Sequence, residues 1–343
     1  MNSSGEFAKI LRDVFAPDPK WADWYMREVF TDDDLRISVV DNRPAAVMLA
    51  SPYSIDFHGS RLRCDYISCV ATVPSQRGKG LMRALMRDTL ERMHAEQVPF
   101  AALIPASRPL YFIYDHMGFA TVFYVDEERY TSLHRFATEG YTAVEPRYEL
   151  FRRLEDERRG AVIHDELRFR QAVTDMELSN GCVVAVSDGA SSEAIVFAEI
   201  GHEIKIHDLL ATDEKAAEAA LGEVRSRGGE KPFIVAAPPS DRSTSLRAHG
   251  MIRIVSVGAV LSTLAGAHPG LKMTVRVRDS FLPANNGFYV IRDGVCRNAD
   301  SRPERIDLDV SVDTLAKILF SEPSIGELFD LPAARPFISL MLD

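Results

Sequence analysis

The segment Val70 to Arg83, VATVPSQRGKGLMR, constrains this chain more than any other, because an apolar strand end, two closely spaced glycines and a helix start follow one another without interruption. From Leu81 to Gln97 the apolar residues Met82, Leu85, Met86, Leu90 and Met93 recur at three- and four-residue spacing. Arg83, Arg87, Asp88, Glu91 and Arg92 fall on the other faces, so the spacing predicts an amphipathic helix. Phe100 to Ile104 follows as a short buried strand, and strand, glycine turn, helix and strand form one unit. Gly78 and Gly80 let the backbone come close to an anion, while the unpaired N–H groups of the helix start point at it with the positive end of the helix dipole behind them. Arg77, Lys79 and Arg83 add charge. Such a turn suits a pyrophosphate, although a glycine pair before a helix can also serve only to relieve crowding.

The surroundings narrow the choice. Leu35–Val40 and Ala45–Ala50 flank the turn Asp41–Pro44 as a hairpin, Leu62–Val73 is a longer strand, and two helices at Glu6–Val14 and Lys20–Phe30 precede them, divided by the breaker run Ala16–Pro19. Pro109–His116 is predicted as a short helix and Phe119–Tyr124 as a strand. The charged stretch Glu145–Arg159 is expected to be a solvated helix between domains. Beyond it, strands at Gly181–Val186, Glu193–Ala198 and Ile204–Leu210, a helix at Glu214–Arg225 and a strand at Phe233–Ala237 echo the first unit. In this echo Leu210–Glu218 occupies the place of Val70–Gly78, but the glycines and the arginine are absent. Asp213, Glu214 and Glu218 would repel a pyrophosphate there. The last part, from about Leu261, alternates strands at Thr274–Arg278, Phe288–Arg292 and Ile306–Val310 with a helix at Val312–Phe320.

The stretch Thr72–Leu85, TVPSQRGKGLMRAL, resembles motif A of the GNAT superfamily, and its form is similar to that of the Eis-like branch, with Ser75 departing from the motif's first position. Ile113–Phe119, IYDHMGF, resembles that branch's Ile-Tyr-x-x-Phe-Gly-Tyr/Phe signature, with Met117 in place of the aromatic residue. Pro283–Tyr289 and the ending Arg335–Asp343 fit as well. The resemblance implies a mixed α+β and α/β chain: a GNAT domain over 1–145, a degenerate second GNAT-like domain over 146–260, and a sterol-carrier-protein-like α+β domain over 261–343. It implies acetyl-CoA as co-substrate, held by Val70, Ala71, Thr72, Arg77, Gly78, Lys79, Gly80, Leu81, Met82 and Arg83, and N-acetylation of a polyamine-, aminoglycoside- or lysine-like primary amine. Tyr114 matches the branch's general acid, and a phenol can supply the proton that a leaving thiolate needs. The chain end, Asp343, takes the place of its general-base carboxylate. Direct attack of the amine would make Cys64 and Cys69 bystanders. A homo-oligomer, with a hexamer as one form, is also implied. A second hypothesis is a regulatory protein that senses acetyl-CoA or binds another ligand without catalysis.

Bulk properties are compatible with both. At 343 residues the chain is long enough for two or three domains. Its formal charge of −10 disfavours nucleic acid and mildly favours a cationic small-molecule partner. No apolar run is long enough for a membrane span and the N-terminus lacks a signal-peptide core, so a cytoplasmic protein is expected. The four cysteines, Cys64, Cys69, Cys182 and Cys296, have no metal-ligand spacing, and neither disulfides nor a metal site are predicted. Asp115 and His116 are adjacent on a helix and point apart, while His94, His202 and His207 are expected at surface or structural positions.

Overall fold

The computed structural model describes residues 3–15, 17–240, 243, 246–320 and 335–342. Asp343, expected as a general base, lies outside the described residues. Helix α1 (Ser3–Ile10) continues as a wider turn to Phe15, and α2 (Pro19–Trp24) does the same to Val29. The Asp18 carboxylate caps α2 at the N–H of Lys20, 2.8 Å away. The first unit then runs through β1 (Leu35–Val40), β2 (Arg43–Phe57), β3 (Ser60–Thr72), α3 (Leu81–Ala95), β4 (Phe100–Leu103), α4 (Arg108–Asp115) and β5 (Ala120–Tyr130).

The second unit contains β6 (Thr142–Val144), α5 (Tyr148–Glu155), β7 (Val162–Ile163), α6 (Glu166–Leu178), β8 (Gly181–Ser187), β9 (Glu193–Ile200), β10 (Ile204–Ala211), α7 (Glu214–Gly228), β11 (Phe233–Ala237) and β12 (Leu246–Ile254). The chain closes with α8 (Val257–Ala267), β13 (Met273–Arg278), β14 (Gly287–Arg292), β15 (Val295–Asn298), β16 (Leu308–Ser311) and α9 (Val312–Phe320).

Strands of both units form one twelve-stranded sheet in the order β1-β2-β3-β4-β12-β5-β11-β10-β9-β8-β6, with β7 added beside β2. The two units trade strands at the middle: β12 separates β4 from β5, and β5 separates β11 from β12. The sheet therefore runs across the boundary that the charged stretch near residue 145 suggests. That stretch is also less solvated than expected. In α5 Phe151 and Leu154 pack into an apolar cluster with Phe169 and Phe197, and Glu155 is buried as well, holding the equally buried His164 through Nδ1 at 2.7 Å.

Alternation along the strands decides which face each module covers. Ala101 and Leu103 join Leu85, Met86, Leu90 and Met93 of α3. Phe100 and Ala102 on the opposite face join Leu261 and Leu264 of α8, Val275 of β13 and Leu315 of α9. The C-terminal module, a four-stranded sheet ordered β15-β14-β13-β16, thus covers the face opposite α3. It also reaches round the edge. Asp279 accepts from buried Arg253 at 2.7 Å and from the N–H groups of Phe281 and Leu282, which brings Phe281 and Leu282 into the core of α3. Gly118 makes room for Arg253: a Cβ there would lie 1.8 Å from the Arg253 Nη1 atom, and its φ is +79°.

His58, in the turn between β2 and β3, meets His268 at the end of α8, with 3.0 Å between ring nitrogens. Burial, followed by the neighbouring His268, pushes the pKa of His58 down to about 4. A histidine neutral in the fold but protonated when unfolded makes the unfolded state the stronger proton binder below the ordinary value of 6.5. Stability is therefore expected to fall as pH drops from 6.5 towards 4. Thermal melts of His58→Gln across this window should show a shallower acid loss than the native chain; equal slopes would remove His58 as the cause.

Candidate active site

The site begins where β3 and β4 part. Their parallel pairing runs through Cys64–Phe100, Asp65–Ala101 and Tyr66–Ala102 and then stops, while Leu103 pairs on its other side with Met251 of β12. From Ile67 onward a cleft opens between the strands. A β-bulge sharpens it: the β2 register jumps from Val47–Ala71 to Leu49–Ser68, and Cys69 takes a φ of +50°. Val70 lines the cleft, whereas Ala71 and Thr72 remain paired with β2. Of Val70, Ala71 and Thr72, all expected to hold the co-substrate, Val70 is thus the one on the cleft wall.

Beyond the end of β3 Gly80 caps α3 in the left-handed conformation, with φ 77° and ψ 6° and no side-chain hydrogen bond to the helix start. Gly78 has a φ of +74°, and a Cβ on either glycine would meet nothing within 4 Å. Arg77, Lys79 and Arg83 are exposed around this turn, and Leu81 and Met82 are half-buried beneath it. Arg77 Nε donates to the Thr72 carbonyl at 3.2 Å and Lys79 to the Gln76 side chain at 2.8 Å, so both stay close to the glycines. Arg83 and Arg87 lie 5.1 and 5.0 Å from the centre of the Phe281 ring. Neither has a carboxylate partner among the described residues. This combination of bare helix donors, open space and uncompensated cations fits a pyrophosphate-bearing ligand.

The second unit has the opposite chemistry at the equivalent turn. Asp213 caps α7 and accepts from the N–H groups of Lys215 and Ala216 at 2.9 and 3.0 Å. A hydrogen bond from Ser192, followed by those from Ala216 and Lys215, holds its carboxyl below the usual range, so the helix start already carries an anion of its own.

Tyr114 stands on α4 at the cleft's inner end, buried to 5% exposure against Phe119. Burial pushes its pKa up to about 12, which keeps the phenol protonated. It shares with Val70 a cavity of about 860 Å³ that continues between the two units. Trp21 of α2, Asp175 of α6, Glu199 of β9, His207 of β10, His249 of β12 and the segment Ser339–Met341 complete its wall. The last segment brings the chain to within two residues of Asp343. Trp21 Nε1 donates to Asp175 at 2.6 Å, and burial raises that carboxyl above its ordinary range. His207, expected at a surface or structural position, is exposed and pairs with Glu199 at 3.3 Å inside this cavity. His116 is exposed, with Nδ1 2.8 Å from the Phe112 carbonyl, and does not pair with Asp115. No local pattern marks His249, because the bulge that carries it depends on a partner strand far away in the chain.

Residues 3–122 match the model of the acetyltransferase (GNAT) domain. The splayed strands and the open glycine turn both lie within this matched stretch. Three solved structures share the whole architecture. A conserved protein of unknown function from Enterococcus faecalis V583, described as a probable N-acyltransferase, superposes with a TM-score of 0.77 at 18% identity, covering 99% of this chain and 97% of that one. A GCN5-related N-acetyltransferase from Kribbella flavida gives 0.75 at 17% identity over 98% and 97% of the two chains. Eis1 from Mycobacterium abscessus gives 0.73 at 14% identity over 98% and 96%. These likenesses establish a mixed α/β GNAT fold. No curated protein matches the sequence. Among the described residues no helix is long and apolar enough to cross a membrane.

Proposed function

We propose that the chain transfers the acetyl group of acetyl-CoA to a primary amine of the polyamine, aminoglycoside or lysine type, by direct attack of the amine on the thioester. The observation that carries this reading is the parting of β3 and β4, with the bare N-terminus of α3 following β3 and protonated Tyr114 sharing a cavity with Val70. The turn from Arg77 to Arg83 would hold the pyrophosphate, Val70 would border the acetyl carbonyl, and Tyr114 would protonate the departing sulfur. Asp175 and Glu199, on the same cavity wall as Trp21, favour a cationic acceptor. The Eis-like branch, a sterol-carrier-protein-like C-terminal domain and homo-oligomeric assembly belong to the same reading.

Thiol release from acetyl-CoA, followed over a panel of polyamines, aminoglycosides and lysine peptides, tests it. Amine-dependent release matched by acetylated product is expected. Acetyl-CoA binding without release for any amine would favour the sensor reading instead.

Arg87, which shares the Phe281 ring with Arg83, is expected to contribute to holding the phosphates. Arg87→Ala should weaken acetyl-CoA binding about tenfold at low salt. The deficit should shrink as ionic strength rises. A salt-independent deficit would place the role of Arg87 in packing on Phe281.

A further inference from the structure

Two bulges on the cavity wall each carry a histidine as the added residue. On β10 the register with β9 moves from Ile206–Ala198 to Asp208–Phe197, which leaves His207 unmatched. On β12 the register with β5 moves from Ala248–Tyr124 to Gly250–Phe123, which leaves His249 unmatched. The two differ in their surroundings. His207 is exposed and engaged with Glu199. His249 is half-buried, two residues before Met251, which pairs with the last residue of β4, and it shares the cavity with Ile104, Ala106 and Tyr114. Its ring is held to the backbone carbonyl of Ile338. Among the described residues the ring has no side-chain hydrogen-bond partner, which leaves an imidazole nitrogen free to accept a proton.

We propose that His249 accepts the proton that the acceptor ammonium must lose before its nitrogen can attack the thioester. This role rests on the acetyltransferase reading and differs from the one that resemblance gives to the chain end, Asp343. The ammonium proton passes to the free imidazole nitrogen and then to solvent. The nitrogen lone pair forms the new N–C bond, and the C–S bond breaks with its electron pair on sulfur. Tyr114 protonates that sulfur and regains a proton from the acylated nitrogen through cavity water. Ammonium and thioester thus yield amide, thiol and one released proton.

The surroundings of the ring support this. Burial lowers the pKa of His249 below its ordinary value, and Arg247 on its own strand and His207 on β10 push the same way, while the Ile338 carbonyl opposes them. The ring is therefore neutral at neutral pH, which is the form a base requires. On β5, Glu127 is tied to Arg247 and Arg129, each at 2.7 Å, so its charge is already met. Lys205 on β10 and Asp175 on α6 stand on the same cavity wall with opposite charges.

The test combines kinetics with two measurements that do not depend on turnover. His249→Gln should lower kcat about 10²-fold with acetyl-CoA affinity unchanged by calorimetry. His249→Ala should regain part of its rate with added imidazole. The native kcat/KM should fall with acidity through a limb below pH 6.5 that both variants lack, while the amine's own limb at higher pH persists in all three. The His249 proton resonance of the native protein should titrate over the same low range. Full kcat in His249→Gln, or an imidazole-insensitive His249→Ala that still binds acetyl-CoA, would overturn the proposal. A native protein that binds acetyl-CoA but acetylates no amine would instead overturn the acetyltransferase reading, which separates the two failures.

Discussion

Gly80→Asp is expected to weaken acetyl-CoA binding by at least about 10²-fold while leaving the fold intact, since hydrogen bonds to charged groups contribute about 1.5–3 kcal/mol each. Gly80 caps α3 with a φ of 77°, and the space around its missing Cβ is open, so an aspartate enters without a clash. Aspartate tolerates the left-handed region better than most residues, which limits the strain to about 1 kcal/mol. Its carboxylate would then take the N–H groups that a pyrophosphate would use, as Asp213 does on α7. The same negative charge repels the phosphates. Gly80→Asn, which carries similar strain without the charge, should lose only about tenfold. Calorimetry on both variants separates these effects, and equal losses would show that backbone strain dominates over charge.

Tyr114→Phe should lower kcat by about 10²- to 10³-fold with little change in acetyl-CoA affinity. The hydroxyl is the only atom removed, and the ring can keep its packing against Phe119 at 5.8 Å. Because burial pushes the Tyr114 pKa up to about 12, the phenol stays protonated across the working range. No loss of rate from its ionisation is expected near the ordinary tyrosine value of 10. Single-turnover rates of acetyl transfer at saturating acetyl-CoA isolate this step. Undiminished transfer would remove Tyr114 from the reaction and leave it a packing residue.

How far the sequence reveals this architecture depends on how local each signal is. The unit from β3 through α3 to β4 was legible because its glycines, apolar spacing and flanking strands are contiguous. Tyr114 followed from the neighbouring IYDHMGF motif. The strand β12 was missed, since LRAHGMIRI has a polar first half and the strand is fixed by β4 and β5, more than a hundred residues away. Helix α6 was missed for a related reason: Phe169, Ala172 and Met176 form a narrow buried stripe broken by Gln171, which is buried as well. Helix α5 is legible, but its charges read as solvated, because nothing local shows that Glu155 meets a buried histidine. The cofactor turn therefore belongs to one continuous segment, while the acceptor cavity is assembled from α2, α6, β9, β10 and β12 and emerges only in the folded chain.

The two units also explain why one turn serves as a phosphate site and its echo does not. Both present the N-terminus of a fifteen-residue helix after a strand. Glycine leaves the first bare, and aspartate fills the second.

The most direct test of the central claim is a calorimetric titration of the native chain with acetyl-CoA. One binding site per chain, lost in Gly80→Asp, is the predicted result. No binding, or binding that survives Gly80→Asp undiminished, would contradict the assignment of the cofactor to the Gly78–Gly80 turn.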